Sequence, residues 1–191
     1  MTQTATYTME AFVGDVKEIF ASSRDALVQA QAVSERMKEL LAVPGWLEEK
    51  INLPEEGGFG RYDLHIDDSE GHPNAGFYLM VTIQKPGQTQ LPHDHGVAWV
   101  AYGIYKGSIK QTKFRWAFPG EGVDTPWIQE SGNFTQTDGS VAVFLPGEIH
   151  QTLNVTDGDR ALVVRLESQK LDTTTRYQYD PKDHSVKVMD R

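Results

Sequence analysis

The chain has 191 residues, enough for one domain with at most an appendage, and its 39% hydrophobic and 24% charged residues are ordinary for a soluble globular protein. Its 27 acidic and 18 basic side chains leave a formal charge of -9, which argues against a nucleic-acid-binding surface and favours a small-molecule ligand or substrate. Cysteine is absent from the sequence, which excludes disulfides, a thiolate nucleophile and cysteine-ligated zinc.

The N-terminal part of the chain predicts helices. The first seven residues are polar and lack the features of a signal peptide, and no apolar run could cross a bilayer, so we expect a cytoplasmic protein. Apolar residues recur with helical spacing over 8–21 and 24–42, which predicts two amphipathic helices. Pro44 stands where the second helix should end and could begin a short third one. Residues 1–55 are therefore expected to form a helical segment packed on the domain that follows.

After a Pro-Glu-Glu-Gly-Gly break at 54–58 the pattern is typical of β-strands. Six runs are rich in β-branched and aromatic residues and are separated by turn residues, at 77–85, 98–105, 108–116, 141–145, 161–167 and 175–179. Many short strands at this spacing indicate a sandwich or small barrel. The polar tail, 180–191, could be a final edge strand or a frayed end.

Three histidines have the spacing of metal ligands. His93 and His95 lie in Leu-Pro-His-Asp-His-Gly, and His150 ends the later segment Pro-Gly-Glu-Ile-His. Side chains at positions i and i+2 of a strand face the same way, so the first pair can share one face. A third histidine from another strand can then complete a facial metal site.

The same segments resemble the two motifs of the cupin superfamily. Gly87, five residues, His-x-His and a closing Gly107 match the first motif. The second motif is matched by Pro146, Gly147, His150 and Asn154, with the proline and glycine adjacent. This resemblance implies a mainly β fold, a double-stranded β-helix or jelly-roll barrel, with an N-terminal α-helical segment.

A narrower resemblance is to the thiol dioxygenases of the cysteine dioxygenase type. It runs over 76–80, the histidine pair and 105–116. Those enzymes also carry a helical segment before the barrel, an arginine at the barrel mouth that matches Arg61, and a third metal histidine in a His-x-x-x-Asn pattern that matches His150. The resemblance implies an iron site ligated by His93, His95 and His150.

The residues after the histidine pair restrict the donor set. Many cupins supply a fourth ligand from a glutamate four or five residues past the second histidine, where this chain has Trp99 and Val100. Three neutral imidazoles would leave about three positions of an octahedral ion free for a chelating anionic substrate and O2. The thiol dioxygenase resemblance favours Fe(II), whereas a hydrolytic or isomerising zinc or nickel enzyme is the alternative.

The chain departs from the thiol dioxygenases where the substrate should bind. Their outer-sphere Ser-x-His-x-Tyr line falls by register on Val163, Arg165 and Glu167. Phe59 replaces the tyrosine that precedes the family's arginine, and Val100 replaces the cysteine that some members crosslink, so no thioether cofactor can form.

These replacements offer charges for substrate recognition. Arg165 and Glu167 share one face of a strand, and the register makes it the metal-facing one. Because a buried charge needs a partner or a ligand, Arg61 or Arg165 could bind a substrate carboxylate, leaving Glu167 to pair the other arginine or a substrate amine. A structural ion pair between Arg165 and Glu167 is the alternative. Tyr62 and Tyr102 could each present a hydroxyl to bound oxygen.

Other polar residues near these segments are given structural roles. His65, His72 and His184 lie in acid-rich contexts and are predicted to be exposed. Asp94 faces away from its neighbours and is predicted to hold a turn. Glu148 could supply a fourth ligand, although a charged loop residue is more often solvated.

Together these features predict a helical segment, 1–55, and a cupin barrel, 56–191, that oxidises a small anionic chelating substrate with O2, a thiol being one option. The expected partners are the substrate and O2, with no nucleic acid and no membrane, and a homodimer is left open. The alternatives are cleavage of an aminophenol or diketone, and a metal- or ligand-binding cupin without oxygenase activity.

Overall fold

Three helices begin the chain in the computed structural model, which describes residues 6–68, 76–117 and 127–189. They are α1 (Met9–Ser22), α2 (Ala26–Leu41) and the short α3 (Trp46–Lys50). Both long helices begin after a capping residue: Thr8 Oγ1 accepts a hydrogen bond from an amide of the first turn of α1, and Asp25 does the same for α2. The two predicted amphipathic helices are therefore confirmed.

Within the described ranges the regular structure after α3 is β, apart from one 3-10 turn. The strands are β1 (Gly60–Ile66), β2 (Tyr78–Gln84), β3 (Val100–Lys106), β4 (Ile109–Ala117), β5 (Trp127–Gln136), β6 (Val141–Phe144), β7 (Ile149–Asn154), β8 (Ala161–Glu167), β9 (Tyr177–Asp180) and β10 (Ser185–Val188). A 3-10 turn, Leu171–Thr173, follows β8. The six predicted strands correspond to β2, β3, β4, β6, β8 and β9, with ends displaced by at most two residues. β10 confirms the edge-strand option for the tail.

Antiparallel pairing arranges these strands in two sheets and a hairpin. One sheet has the order β1-β2-β8-β3-β6, the other β5-β4-β7, and β9 pairs with β10. The segment around His93 forms bridges to His150 in β7 and to Gln178 in β9, which joins the hairpin to the second sheet. The chain is a mainly β double-stranded β-helix, as the sequence predicts.

The helices cover the outer face of the five-stranded sheet. Alternate residues of β8, Leu162, Val164 and Leu166, point to this face and share one buried cluster with the helices. Val33 and Met37 of α2 are fully buried in the same cluster. The helices and the sheet thus have a common apolar core, while the boundary proposed at residue 55 stays a prediction.

The opposite face of the same sheet looks into the barrel. A second cluster contains Tyr102 and Ile104 of β3 and Val163 of β8. Arg165 and Glu167 continue the alternation of Val163, so they lie on this inner face beside Tyr102. None of the helices in the described part of the chain has the length and apolar character needed to cross a membrane.

Candidate metal centre

The backbone brings the first and third histidines opposite each other. His93 N donates to His150 O at 2.9 Å, and His150 N donates to His93 O at 3.0 Å. Residues that exchange two hydrogen bonds in this way stand about 5.5 Å apart at their Cα atoms. His93 forms an isolated bridge and His95 lies outside any strand, yet both rings lie on the same side, as the i and i+2 spacing predicts.

The three imidazoles converge closely enough to hold one ion. One ring nitrogen from each histidine lies within 4.8 Å of the others, and Nε2 of His95 is 3.2 Å from Nε2 of His150. Two nitrogens bound to one ion at about 2.1 Å stand about 3.0 to 3.4 Å apart for octahedral or tetrahedral angles. The separation therefore matches that of two ligands of one metal ion.

A chain of buried glutamines determines which nitrogen of His150 faces the site. Gln136 Nε2 donates to the backbone carbonyl oxygen of Tyr102 at 3.0 Å, and a carbonyl oxygen can only accept. This contact fixes the orientation of the Gln136 amide, so its Oε1 accepts from Gln111 Nε2 at 2.8 Å. Gln111 Oε1 then accepts from His150 Nδ1 at 3.0 Å. The His150 tautomer carries its proton on Nδ1 and leaves Nε2 free as a ligand.

The other two rings are held differently. His93 Nδ1 donates to the Leu91 carbonyl oxygen at 3.1 Å, which leaves its Nε2 as the free acceptor. His95 Nδ1 is buried and has no hydrogen-bond partner among the described residues, while its Nε2 lies 3.2 Å from the hydroxyl of Tyr102. The rings of His150 and Phe144 are stacked at 3.8 Å between centroids, which shields the site from water on that side.

Burial keeps all three imidazoles uncharged. It lowers the pKa of His93 to about 4, with the nearby charge of Arg165 acting in the same direction. Burial also lowers the pKa of His95 and of His150 well below the usual range, and each is lowered further by a neighbouring histidine. Metal ligation requires the neutral imidazole, so the site is ready to bind a metal at neutral pH.

Asp94, between the two histidines, holds the backbone rather than a metal. Its Oδ1 accepts from the amides of Gly96 at 2.9 Å and Tyr177 at 3.1 Å, and its Oδ2 accepts from the Tyr179 hydroxyl at 2.6 Å. Gly96 has φ +62°, and a Cβ there would meet the carbonyl oxygen of Thr175 at 2.3 Å. The prediction that Asp94 holds a turn is confirmed, and the turn it holds is docked on β9.

Glu148 is not a fourth ligand in this structure. Its Oε1 pairs with Lys113 Nζ at 2.7 Å, and its Oε2 accepts from the amide of Leu145 at 2.7 Å. The only group of potential metal ligands found in the described part of the chain is the three histidines.

The predicted charges on the inner face do form an ion pair. Arg165 Nη2 lies 3.0 Å from Glu167 Oε1, and Glu167 Oε2 accepts from the amide of Leu171 at 3.1 Å. The guanidinium carbon of Arg165 lies 5.2 Å from the ring centroid of Tyr102. Glu167 is thus fully engaged, whereas Arg165 extends from this pair toward the ring that contacts His95.

Two cavities adjoin this inner face and share Arg61, Thr82 and Arg165 among their lining residues. The smaller, of about 280 Å³, is also lined by Tyr102 and by Gln90, whose amide nitrogen is 3.4 Å from Nε2 of His93. No histidine of the described residues lines this cavity, but two of its lining residues, Gln90 and Tyr102, contact His93 and His95. The larger, of about 310 Å³, extends along Arg165 toward the 3-10 turn.

Two residues predicted to serve the site lie elsewhere or at its edge. The side chain of Arg61 is 61% exposed at the cavity rim, with Nε 3.5 Å from Asp63. Tyr62 packs with the cluster under the helices and donates its hydroxyl hydrogen to the Gly58 carbonyl oxygen, so it does not face the barrel interior as predicted. Successive strand residues point to opposite faces, which is why both cannot reach the cavity.

The remaining histidines differ from one another. His65 was expected to be exposed, but it is partly buried against Phe77, with ring centroids 5.3 Å apart and a buried Nε2 that lacks a partner in the described structure. His184 is exposed as predicted and stacks on Trp127. His72 lies outside the described residues.

Sequence reasoning missed three residues around the site. Gln111 could have been found, because it follows the apolar Ile109 at the inward parity of a predicted strand. Gln136 lies in β5, which was not predicted. Arg176, which lines the larger cavity, falls inside the predicted strand 175–179, but β9 begins only at Tyr177, so the alternation of a strand does not set the direction of its side chain.

No protein family model matches the chain, and no curated protein matches its sequence. Similar solved structures include the cupin domain of Schizosaccharomyces pombe Cnp3, with 11% identity, a TM-score of 0.43 and coverage of 58% of this chain and 60% of that one. They also include an uncharacterized conserved protein with a double-stranded β-helix domain from Klebsiella pneumoniae (14% identity, TM-score 0.40, 76% and 95% coverage) and KdgF from Halomonas sp. (14%, 0.43, 62% and 86%). This chain thus spans less than two thirds of the Cnp3 chain. The similar solved structures include cupin folds, and in this chain a three-histidine metal-binding group is formed by His150 of β7 and two histidines of the connection between β2 and β3.

Proposed function

We propose that the protein is a mononuclear Fe(II)-dependent dioxygenase acting on a small anionic substrate. The observation that carries the proposal is the convergence of three buried, neutral histidines beside Tyr102, which lines a cavity together with Arg165. Three nitrogen donors without a carboxylate suit a divalent first-row metal and leave positions for a substrate. Bound iron would supply the place where O2 and an anionic donor of the substrate meet.

Tyr102 is the residue placed to act on a bound substrate. Its hydroxyl lies 3.2 Å from Nε2 of His95, and burial raises its pKa, so it keeps its proton at neutral pH. A protonated phenol can donate a hydrogen bond to an anionic group held beside the histidines. Tyr102 would thus orient the substrate without adding a second negative charge.

Arg165 supplies the countercharge for an anionic substrate. It shares the inner face with Tyr102, and its Nε is buried without a hydrogen-bond partner in the described structure. A substrate carboxylate would satisfy this donor and offset the charge that burial disfavours. Glu167 holds the guanidinium in place from the other side.

The first substrate class to test is a small thiol carboxylate. Its thiolate and O2 would give a sulfinate, RS⁻ + O2 → RSO2⁻, so both oxygen atoms end on sulfur and no external reductant is needed. The resemblance of 76–80 and 105–116 to thiol dioxygenases supports this class. Aminophenols and diketones form the second class, because they also chelate a metal as anions.

Metal analysis followed by oxygen uptake tests the proposal. Protein expressed without added metal, then reconstituted anaerobically with Fe(II), should bind about one iron per chain and consume O2 with cysteine, 3-mercaptopropionate, cysteamine or 2-aminophenol. His93→Ala should lose both iron and oxygen uptake, whereas His184→Ala, at an exposed position, should keep both. Unchanged activity in the His93 variant, or a wild type without stoichiometric metal, would overturn the proposal.

A further inference from the structure

Arg176 is a cation without a partner in the larger cavity. Its Nε is buried and makes no hydrogen bond, and among the described residues no carboxylate forms an ion pair with its guanidinium. The Nε of Arg165, in the same cavity, is also buried without a partner. Unpaired buried donors cost free energy, so the two arginines present a site that an anion would stabilise.

The charged side chains that line the larger cavity have a net positive charge. Its lining holds the cations Arg61, Arg165, Lys170 and Arg176 and the carboxylates of Asp63, Glu167 and Asp172. Asp63 lies beside Arg61 and Glu167 pairs with Arg165. The charges of Glu167 and Asp172 act on Arg176, but within the described residues neither carboxylate forms an ion pair with it. Four positive and three negative groups leave a net charge of +1, which one monoanion would balance.

The two arginines repel each other until an anion separates their charges. Burial and then the charge of Arg165 lower the pKa of Arg176, and the charges of Glu167 and Asp172 offset only part of this effect. A carboxylate presents two oxygens, each of which can accept from a different guanidinium group. Bridging by a carboxylate therefore turns this repulsion into two charge-assisted hydrogen bonds.

Arg165 links the larger cavity to the smaller one, which is also lined by Tyr102. Arg165 lines both cavities, and its guanidinium packs on the ring of Tyr102, whose hydroxyl reaches His95. A small molecule held beside Tyr102 would have Arg165 next to it, and Arg176 lines the cavity on the other side of Arg165. Arg61 is less suited to this end, because it is largely exposed and lies beside Asp63.

We propose that Arg165 and Arg176 form a subsite for one carboxylate of the substrate, which makes Arg176 a specificity-determining residue. The inference deepens the proposed function and rests on it for the statement that the bound molecule is a substrate. The binding of a carboxylate between the two arginines does not require the metal. It can therefore be measured in the metal-free protein.

The test is a titration of the metal-free protein with propionate, followed through the Arg165 and Arg176 Nε–H signals in ¹⁵N NMR spectra. We expect saturable shifts of both signals with propionate and none with the neutral analogue propionamide. Arg176→Gln should weaken propionate binding at least about tenfold, because it removes one of two charge-assisted partners. Arg176→Lys, which keeps the charge without the planar fork, should lie between, and Arg36→Gln, on the exposed surface of α2, should bind as the wild type does.

Several outcomes would overturn the subsite. The first is equal shifts with propionamide, and the second is the lack of a saturable shift in the folded wild type. The third is a loss of propionate binding in Arg61→Gln together with unchanged binding in Arg176→Gln. Propionate binding by a protein that holds no stoichiometric iron and consumes no O2 would leave the subsite standing and overturn the dioxygenase alone. Iron binding and oxygen uptake without any propionate response would do the reverse.

Discussion

Gln111 selects the nitrogen that His150 presents to the metal centre. The carbonyl oxygen of Tyr102 fixes the amide of Gln136, which fixes that of Gln111, and the last acceptor in the chain holds the proton of His150 Nδ1. All of these groups are buried, so no water replaces a lost partner at low cost. The ring is therefore oriented by a backbone atom two side chains away.

Replacing Gln111 with leucine should weaken metal binding by about 10- to 100-fold, because His150 loses the partner that sets its tautomer and ring angle. The dissociation constant would be measured by competition with a chromophoric chelator. Gln129→Leu, at an exposed position of the neighbouring strand β5, is the matched control and should bind metal normally. Equal affinity in the two variants would contradict an orienting role for Gln111.

His65 carries an acid-sensitive contribution to stability that is separate from the metal centre. Burial and the charge of Lys17 lower its pKa, while Asp67 and Asp68 act in the opposite direction. The unfolded chain therefore binds this proton first as the pH falls below about 6.5. Stability is present above this pH and is lost progressively below it.

When the pH is lowered from about 7.5 to 5, we expect the melting temperature of His65→Gln to fall less than that of the wild type, because glutamine cannot take up the proton. Thermal unfolding at several pH values measures the difference. His184→Gln, at an exposed position, should keep the wild-type slope. A steeper slope in the His65 variant would show that the imidazole is protonated more readily in the folded state.

At the level of elements, the contact between α2 and β3 depends on one residue without a side chain. A Cβ at Gly103 would lie 2.7 Å from Met37 Sδ and 2.8 Å from Leu41 Cδ1. Met37 is fully buried, so its end cannot swing into solvent. Gly103 thus allows the helix to approach the outer face of the sheet closely.

Gly103→Ala should lower the free energy of unfolding by about 1 to 3 kcal/mol, the usual range for overpacking a core. Gly14→Ala provides the contrast, because Gly14 is exposed in α1 and a Cβ there meets no atom within 4 Å. That change should raise stability by about 0.5 to 1 kcal/mol through helix propensity. Chemical denaturation compares both with the wild type, and a stable Gly103 variant would mean that Met37 repacks freely.

The elements that sequence reasoning found are those with a one-sided apolar pattern. The helices α1 and α2 and the strand β8 each bury one face or both, and their periodicity shows it. Strand β5 was missed because seven consecutive exposed residues lie between its two buried ones, and such a sequence has no alternation to detect. β7 was missed because the residues that it buries alternately, His150, Thr152 and Asn154, are polar, so no apolar alternation marks it.

The metal ligands could be predicted because their spacing within one segment is itself the signal. Arg176 could not, since its position is set by contacts between distant parts of the chain. The Asp94 carboxylate binds the amide of Tyr177, and His93 bridges Gln178, so the residue just before β9 is carried to the cavity. No local pattern in 171–180 encodes that docking.

At the scale of the whole molecule, the fold and the metal centre are separable. The five-stranded sheet has one apolar cluster on each face, the first under the helices and the second inside the barrel. The backbone hydrogen bonds that pair His93 with His150 involve no imidazole. The protein should therefore stay folded when a chelator removes metal, and it should melt cooperatively.

Bound metal should nevertheless raise the melting temperature, since it binds only the folded arrangement of the three imidazoles. At about 100 times the dissociation constant the gain is about 2.7 kcal/mol. For a chain of this size that corresponds to about 5 to 11 °C, which scanning calorimetry with and without chelator would measure. His93→Ala should have the same melting temperature with metal and with chelator, because the substitution removes a ligand and spares the backbone pairing. His184→Ala should keep the full shift in melting temperature. If neither metal nor chelator changes the melting temperature of the wild type, the three imidazoles hold no metal.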